Sequence, residues 1–218
     1  MKKDYHQERK TRLSRIYRLK RRGYEVIEAI KKYHPLNINT ILDVGTADGL
    51  MLGGVKKKFP LAKCIGLEYS KELIQACDDK NIEIIQGDAQ NMPFKDNTFD
   101  IVYATALIEH LEQPIKMLQE IYRILKTNGI IIITTPDPFF DKIAQAMNCI
   151  EKDLHQETFT IKKLKDYFNG AGFKVLRTKK FMISPVGFPF ELLIEKILKF
   201  LKLDFILLNQ IIIGKKNV

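Results

Sequence analysis

Ile41-Leu42-Asp43-Val44-Gly45-Thr46-Ala47-Asp48-Gly49 is the stretch that decides the fold. Its first four residues read as a buried strand, Thr40 to Val44, that carries an acid near its tip. The next five read as a glycine-bearing turn opening a helix, Leu50 to Lys58, which Pro60 ends. Such a turn lets backbone N–H groups approach a ligand closely at a helix N-terminus. The spacing is D-x-G-x-A-x-G. It fails the dinucleotide pattern G-x-G-x-x-G, because Ala47 and Leu50 stand where the second and third glycines belong. It is no G-x-x-x-x-G-K-[ST] phosphate loop either. A carboxylate at the strand tip calls for a cation or a hydroxyl in place of a phosphate.

The neighbouring sequence repeats the theme. Lys63 to Leu67 is a second strand, and Glu68 follows it, 19 residues after Gly49, where an acid suits the two hydroxyls of a ribose. Ser70 N-caps a helix expected to reach about Asp79. Ile82 to Ile85 is a third strand, closed by Gln86-Gly87-Asp88-Ala89. Asp100 to Ala104 is a fourth. Pro114 begins a helix with Ile115, Leu118, Ile121, Tyr122 and Leu125 on one face, and Asn128-Gly129 reads as its C-cap. Ile130 to Thr135 is a fully buried strand. This alternation of apolar strands and helices predicts a mostly parallel sheet covered on both faces. Ligands of such sheets sit at the C-terminal ends of the strands. Asp43, Glu68 and Asp88 all fall there, so they share a pocket suited to an adenosyl ligand with a cationic amino-acid tail.

At this point the chain resembles the class I S-adenosylmethionine-dependent methyltransferases, whose first motif is an acid, x, Gly, x, Gly, x, Gly. Ala47 departs from it at the middle glycine. Asn91-Met92-Pro93-Phe94 before Phe99-Asp100, Tyr103 to Leu111, and Glu120 to Gly129 also look like that family, and the match is close over residues 38–136. His155 to Phe173 resembles it more loosely. The resemblance implies a Rossmann-like α/β fold with a seven-stranded, mostly parallel sheet whose last strand is antiparallel. It implies S-adenosyl-L-methionine as cofactor and S-adenosyl-L-homocysteine as product. Asp43 would serve the ammonium directly or through water, Gly45, Thr46, Ala47 and Gly49 the carboxylate end, and Glu68 the ribose. Asp88 and the N–H of Ala89 would meet the adenine, with Tyr69, Ala104 and Thr105 along the same crevice. Methyl transfer needs positioning more than acid–base chemistry, but a base is required where the acceptor loses a proton. His110 and His155 are the candidates, and no metal ligands are expected.

The 218 residues suit one domain: a basic helical arm (1–34), a cofactor-binding core (38–136) and a substrate-side region (137–218) with an amphipathic insertion at 187–203. The net charge of +10 is concentrated, since residues 1–32 hold 12 Lys and Arg against 4 Asp and Glu. From His6 to Tyr33 the sequence favours helix, with Gly23 as a potential break. Three readings of the arm stand open: a solvated helix face, contact with an anionic substrate or membrane surface, and nucleic acid. Few aromatics and no RNA-binding module weigh against the last. In the insertion, Phe190, Leu192, Leu193, Ile197 and Phe200 face Lys196, Lys199 and Lys202, and Glu195 can pair with Lys199. It would pack on the core or in a dimer, cover a lipid-linked acceptor, or lie on a membrane. Cys64, Cys77 and Cys149 form no C-x-x-C and fit a reducing cytosol as small apolar residues. No leader and no spanning run of apolar residues is expected, so the protein is read as cytoplasmic, or peripheral at a membrane. The function expected is methyl transfer to a small-molecule, lipid or cell-envelope acceptor. The alternatives are an RNA methyltransferase that uses the basic arm, and a cofactor-binding interaction protein without catalysis.

Overall fold

The continuous apolar runs of the sequence become the central strands. The computed structural model describes residues 13–34, 37–140 and 156–217. In chain order the elements are α1 (Leu13–Tyr33), β1 (Thr40–Val44), α2 (Leu50–Lys58), β2 (Lys63–Glu68), α3 (Lys71–Gln75) and β3 (Glu83–Gln86). Then come β4 (Phe99–Thr105), a 3-10 turn (Ile108–His110), α4 (Pro114–Ile124) and β5 (Leu125–Pro136). The chain continues through α5 (Ile161–Gly170), β6 (Phe173–Phe181), α6 (Glu191–Phe200), a second 3-10 turn (Asp204–Ile206) and β7 (Asn209–Lys216). The seven strands lie in the order β3-β2-β1-β4-β5-β7-β6. Strands β1 to β5 are parallel, and β7 runs antiparallel to both β5 and β6. This is the expected Rossmann-like methyltransferase sheet.

Alternate side chains of the buried strands feed two cores. Val102, Ile131 and Ile133 face α4 and α5, where Leu118, Ile121 and Phe168 meet them. Ile101, Ile130 and Ile132 face the other way, onto Val26 and Ile30 of α1 and Leu52 of α2. At the N-terminal edge Asp100 staples the sheet. Its Oδ2 accepts the N–H groups of Asn39 and Thr40 at 3.0 and 2.9 Å, and its Oδ1 accepts Lys126 Nζ at 2.9 Å. Burial alone would raise the Asp100 pKa, but Lys126, Thr40 and the two backbone donors outweigh it and hold the carboxyl below its ordinary range.

Four local readings of the sequence are corrected. Gly23 does not break α1. It sits inside an unbroken helix, and a Cβ there would lie 3.4 Å from Met51 Cγ, so its role is the close approach of α1 to α2. The helix capped by Ser70 ends at Gln75 rather than Asp79, because Asp79 turns the chain by accepting the N–H and side-chain amide of Asn81. Asn128-Gly129 caps no helix. α4 passes directly into β5, and Asn128 (φ 68°) lies in an irregularity where the β4 register jumps from Phe99↔Leu125 to Ile101↔Ile130. The last strand, which the sequence predicts over Leu207 to Ile213, starts at Asn209 and reaches Lys216. The start of the arm, most of the helix expected over Phe139 to Cys149, and Cys149 itself lie outside the described residues. Of the other cysteines, Cys64 is buried and Cys77 half-buried. Burial pushes the Cys64 thiol up to about 11.

Candidate active site

The turn after β1 is wound through alternating left-handed positions: Gly45 at φ 74°, Ala47 at 55° and Gly49 at 73°. Glycine takes that region freely, and alanine pays about 1 kcal/mol for it. Ala47 is therefore held there, and Glu68 does the holding. The Ala47 N–H donates to Glu68 Oε2 at 2.9 Å, and the Ser70 N–H donates to Oε1 at 2.9 Å. Below, the N–H groups of Gly45 and Thr46 donate to the Leu67 carbonyl at 2.8 and 3.1 Å, which locks the turn onto the end of β2.

Asp43 is 1% exposed and accepts the Thr46 hydroxyl at 2.9 Å. Across the parallel register it stands opposite Tyr103. Burial first, and then the Asp43 charge, push the Tyr103 hydroxyl well above its ordinary pKa. Asp43 thus works from beneath the turn, setting its shape. Thr46 and Tyr103, which complete this buried cluster, have ordinary sequence contexts. Thr46 had been placed only by the family motif, and Tyr103 had not been singled out at all.

At the C-terminal ends of β1, β3 and β4 the backbone surfaces into a crevice. Gly45, Asp88, Ala89 and Thr105 are half-buried there, and Tyr69 stands 75% exposed at its rim. Ala104 is wholly buried, beside half-buried Thr105 at the end of β4. Asp88 forms the tight turn its sequence suggested, accepting the Gln90 N–H on Oδ1 at 2.8 Å. Within this set the N–H groups of Gly45, Thr46, Ala47 and Gly49 already donate inside the protein, so what is open to an adenosyl ligand is the acceptor capacity of Glu68 and Asp88. Each Glu68 oxygen uses one lone pair on the backbone and keeps another for a ribose hydroxyl. Asp88 supplies an acceptor at an exposed turn.

A methyltransferase-domain family model matches residues 42–133. The demethylmenaquinone methyltransferase of Staphylococcus carnosus is 30% identical over 169 residues, which are 64% of this chain and 70% of that protein. The chain belongs to the class I S-adenosylmethionine-dependent methyltransferases. This methyltransferase is also 28% identical over 163 residues to an uncharacterized protein of Methanocaldococcus jannaschii, covering 73% of this chain and 76% of that one. A chain in the complex between the Haloferax volcanii Trm112 methyltransferase activator and a methyltransferase superposes with a TM-score of 0.70 at 19% identity. It covers 98% of this chain and 97% of that one, and shows the shared fold.

Beside the cofactor crevice the methyltransferase carries a second group of polar residues. Glu109, in the 3-10 turn after β4, is 2% exposed. Its Oε2 accepts the Thr135 hydroxyl at 2.9 Å, and its Oε1 has no hydrogen-bond partner. The backbone carbonyl of Glu109 accepts the Gln156 N–H at 2.9 Å, which ties the turn to the far end of the chain. Glu109, Thr135, Pro136 and Phe159, with Glu157 and Pro138, border a half-open surface indentation that has no room for a water molecule. Sequence reasoning passed over Glu109 in favour of its neighbour. His110 is exposed at the end of the same turn, and His155 lies outside the described residues. The available signal was the acid in Ile108-Glu109-His110, between a strand tip and a helix-starting proline.

Proposed function

We propose that this chain moves the methyl group of S-adenosylmethionine to a lipid-like small molecule, with the acceptor's reacting atom over the ends of β4 and β5 beside Glu109. The observation that carries this reading is the unpaired Oε1 of Glu109, buried in a carboxylate that Thr135 orients, beside Phe159 and two prolines. A buried carboxylate oxygen without a partner is costly, by about 1–3 kcal/mol. An acceptor hydroxyl, amine or acidic C–H group supplies the missing donor. A named relative acts on demethylmenaquinone, which favours a greasy acceptor over a nucleotide.

When bound, the cofactor supplies an electrophilic methyl group on sulfur. The protein's own residues do the rest. Glu68 holds the ribose, the Gly45–Gly49 turn lies against the amino-acid end, Asp88 and the Ala89 N–H orient the base, and Glu109 Oε1 takes the proton that the acceptor loses. His110, at the surface of the same turn, would pass that proton on to solvent. The near-complete burial of Glu109 and Thr135 keeps water from competing as acceptor.

The test has two arms. Titration of S-adenosylmethionine and S-adenosylhomocysteine into the purified protein should show binding. Incubation with methyl-labelled cofactor and a panel of isoprenoid and acyl acceptors should then move label into an organic-soluble product. Glu109→Gln should lower kcat by about 10²–10⁴-fold, the range for a lost general base, with cofactor affinity unchanged. Label transferred to RNA and not to any organic-soluble product would overturn the acceptor assignment. Cofactor binding without any transfer would favour the interaction-protein alternative.

A further inference from the structure

Helix α6 is mounted inside out. Its two acids, Glu191 and Glu195, are each 4% exposed, whereas Leu193 is 56%, Ile197 47% and Phe200 86% exposed. The buried acids are fully occupied. Glu191 accepts the Tyr17 hydroxyl of α1 and the N–H groups of Ile183 and Ser184. Glu195 accepts Arg21 Nη2 at 2.6 Å, the Met182 N–H at 3.0 Å, and the ammonium of Lys199. Burial would raise the Glu195 pKa, but Lys199 and Arg21 outweigh it and keep the carboxylate ionised. The helix therefore stands on the body along its charged stripe, and its apolar stripe is turned outward.

The apolar surface does not end with the helix. Phe188 and Phe190 precede it, and Leu203 and Phe205 follow it, all more than a third exposed. Left-handed backbone at Gly187, Phe190 and Lys202 turns the chain at both ends and keeps these side chains on the outer surface. A contiguous apolar patch of this kind marks an interaction site rather than ordinary surface. Its charge identifies the partner. With Glu191 and Glu195 buried, the charges left around the patch are chiefly the exposed Lys196 and Lys202, with Asp204 alone against them. Two copies of this chain, each at +10, would bring those lysines face to face. An anionic bilayer offers the opposite charge, and lysines on flexible stems reach it while the apolar side chains sink. With 10 residues α6 is too short to cross the bilayer, and no described helix is long and apolar enough to do so.

We propose that α6 and its flanking loops form a docking surface for an anionic lipid membrane, lying in the interfacial plane with Leu193, Ile197, Phe200 and Phe205 inserted and Lys196 and Lys202 at the head groups. The proposal deepens the lipid-like acceptor reading but concerns a surface that shares no residue with the cofactor crevice. The experiment is co-flotation of the full chain with vesicles of phosphatidylcholine mixed with phosphatidylglycerol, and with vesicles of phosphatidylcholine alone. The wild type should float with the mixed vesicles, and salt should weaken it. Lys196→Gln/Lys202→Gln should lower the partition constant about thirtyfold, since each lysine near an anionic surface contributes about fivefold. Phe200→Ser/Phe205→Ser should lower it by more than about tenfold, since each phenylalanine loses its buried apolar area. Lys199 is left intact because it neutralises Glu195. All four substituted side chains are exposed, so both variants should keep the wild-type melting temperature and cofactor affinity. A loss of cofactor binding in the wild type would count against the methyltransferase reading, not against docking. Failure of the wild type to float with mixed vesicles would overturn the docking proposal, as would flotation untouched by the phenylalanine pair. A wild-type dimer that the phenylalanine pair dissolves would assign the surface to a second copy instead.

Discussion

Glu68→Gln isolates what the acid at the end of β2 does, because it keeps the shape and removes the charge. In the structure both carboxylate oxygens accept backbone N–H groups, from Ala47 and Ser70, each at 2.9 Å. A glutamine has one acceptor oxygen and one NH2 group, so one of these donors must face another donor. A lost bond of this kind at a buried position costs about 1–3 kcal/mol. Ala47 is the more sensitive of the two, because its left-handed backbone is retained by that bond. The ribose hydroxyls would lose the charge-assisted half of their bonds as well, about 1 kcal/mol more. Only the ribose part, about 1 kcal/mol, enters the cofactor Kd directly, a weakening of about fivefold, whereas the lost backbone bond, made without cofactor, lowers the melting temperature. Titration calorimetry with S-adenosylhomocysteine measures the weakening directly, and the melting temperature shows whether the fold survives. A folded variant that binds as tightly as wild type would refute the assignment of Glu68 to the ribose, and an unchanged melting temperature would refute the claim that it holds the turn.

Three further outcomes follow from the same reasoning. Arg21→Met removes the cation between Glu25 (2.5 Å) and Glu195 (2.6 Å), both nearly buried. Lys179 and Lys199 still reach those acids, so the cost should sit near about 3 kcal/mol, the lower end for a broken buried pair, or about 6–12 °C in Tm; a loss under about 1 kcal/mol in denaturant titration would mean the network is screened like a surface pair. Gly187→Ala should cost about 2 kcal/mol and loosen α6, because the residue sits at φ 73° and a Cβ would lie 2.4 Å from the Tyr17 ring; limited proteolysis between α6 and β6 reads the loosening, and an unchanged digestion pattern counts against it. The Asp100 carboxyl is held below its ordinary range in the folded state, so the stability it gives is present above the unfolded value of about 3.9 and is lost as pH falls through the folded value. Asp100→Asn should therefore lower Tm at neutral pH and flatten the acid limb of the Tm–pH curve, and a parallel downward shift at every pH would show that titration of Asp100 plays no part.

Much of the site was legible because its signals are local. Ile41, Leu42 and Val44 are apolar on both faces of the strand, which marks it as central, and its acid Asp43 and the turn after it are contiguous with that run. Glu68 and Asp88 became legible once the strands before them were placed, since parallel strands deliver their C-terminal ends to one edge. Asn128-Gly129 misled because a left-handed residue after a helical pattern serves a helix cap and a bulge equally well. What decides between them is the pairing of Leu125 with Phe99, a contact that the local pattern does not contain. Glu109 was hidden for a related reason. Its importance rests on one oxygen being paired with Thr135 and the other not, and Thr135 lies a whole helix and strand away.

The orientation of α6 is the sharpest case. Its sequence shows an apolar stripe and a charged stripe, and hydrophobic burial alone would turn the apolar one inward. The outcome is the reverse because of what the described residues beneath that helix present to it. They offer Arg21 and Tyr17 from α1 together with the backbone N–H groups of Met182, Ile183 and Ser184. Placing an apolar stripe on those donors would leave Arg21 Nη2 and a row of N–H groups unsatisfied, each costing more than an exposed leucine gives up. Glu191 and Glu195 satisfy them, at a sequence separation of 174 residues from Tyr17 and Arg21 respectively. The charged stripe thus wins the interior by hydrogen-bond satisfaction, and the apolar stripe is left for a partner outside the chain.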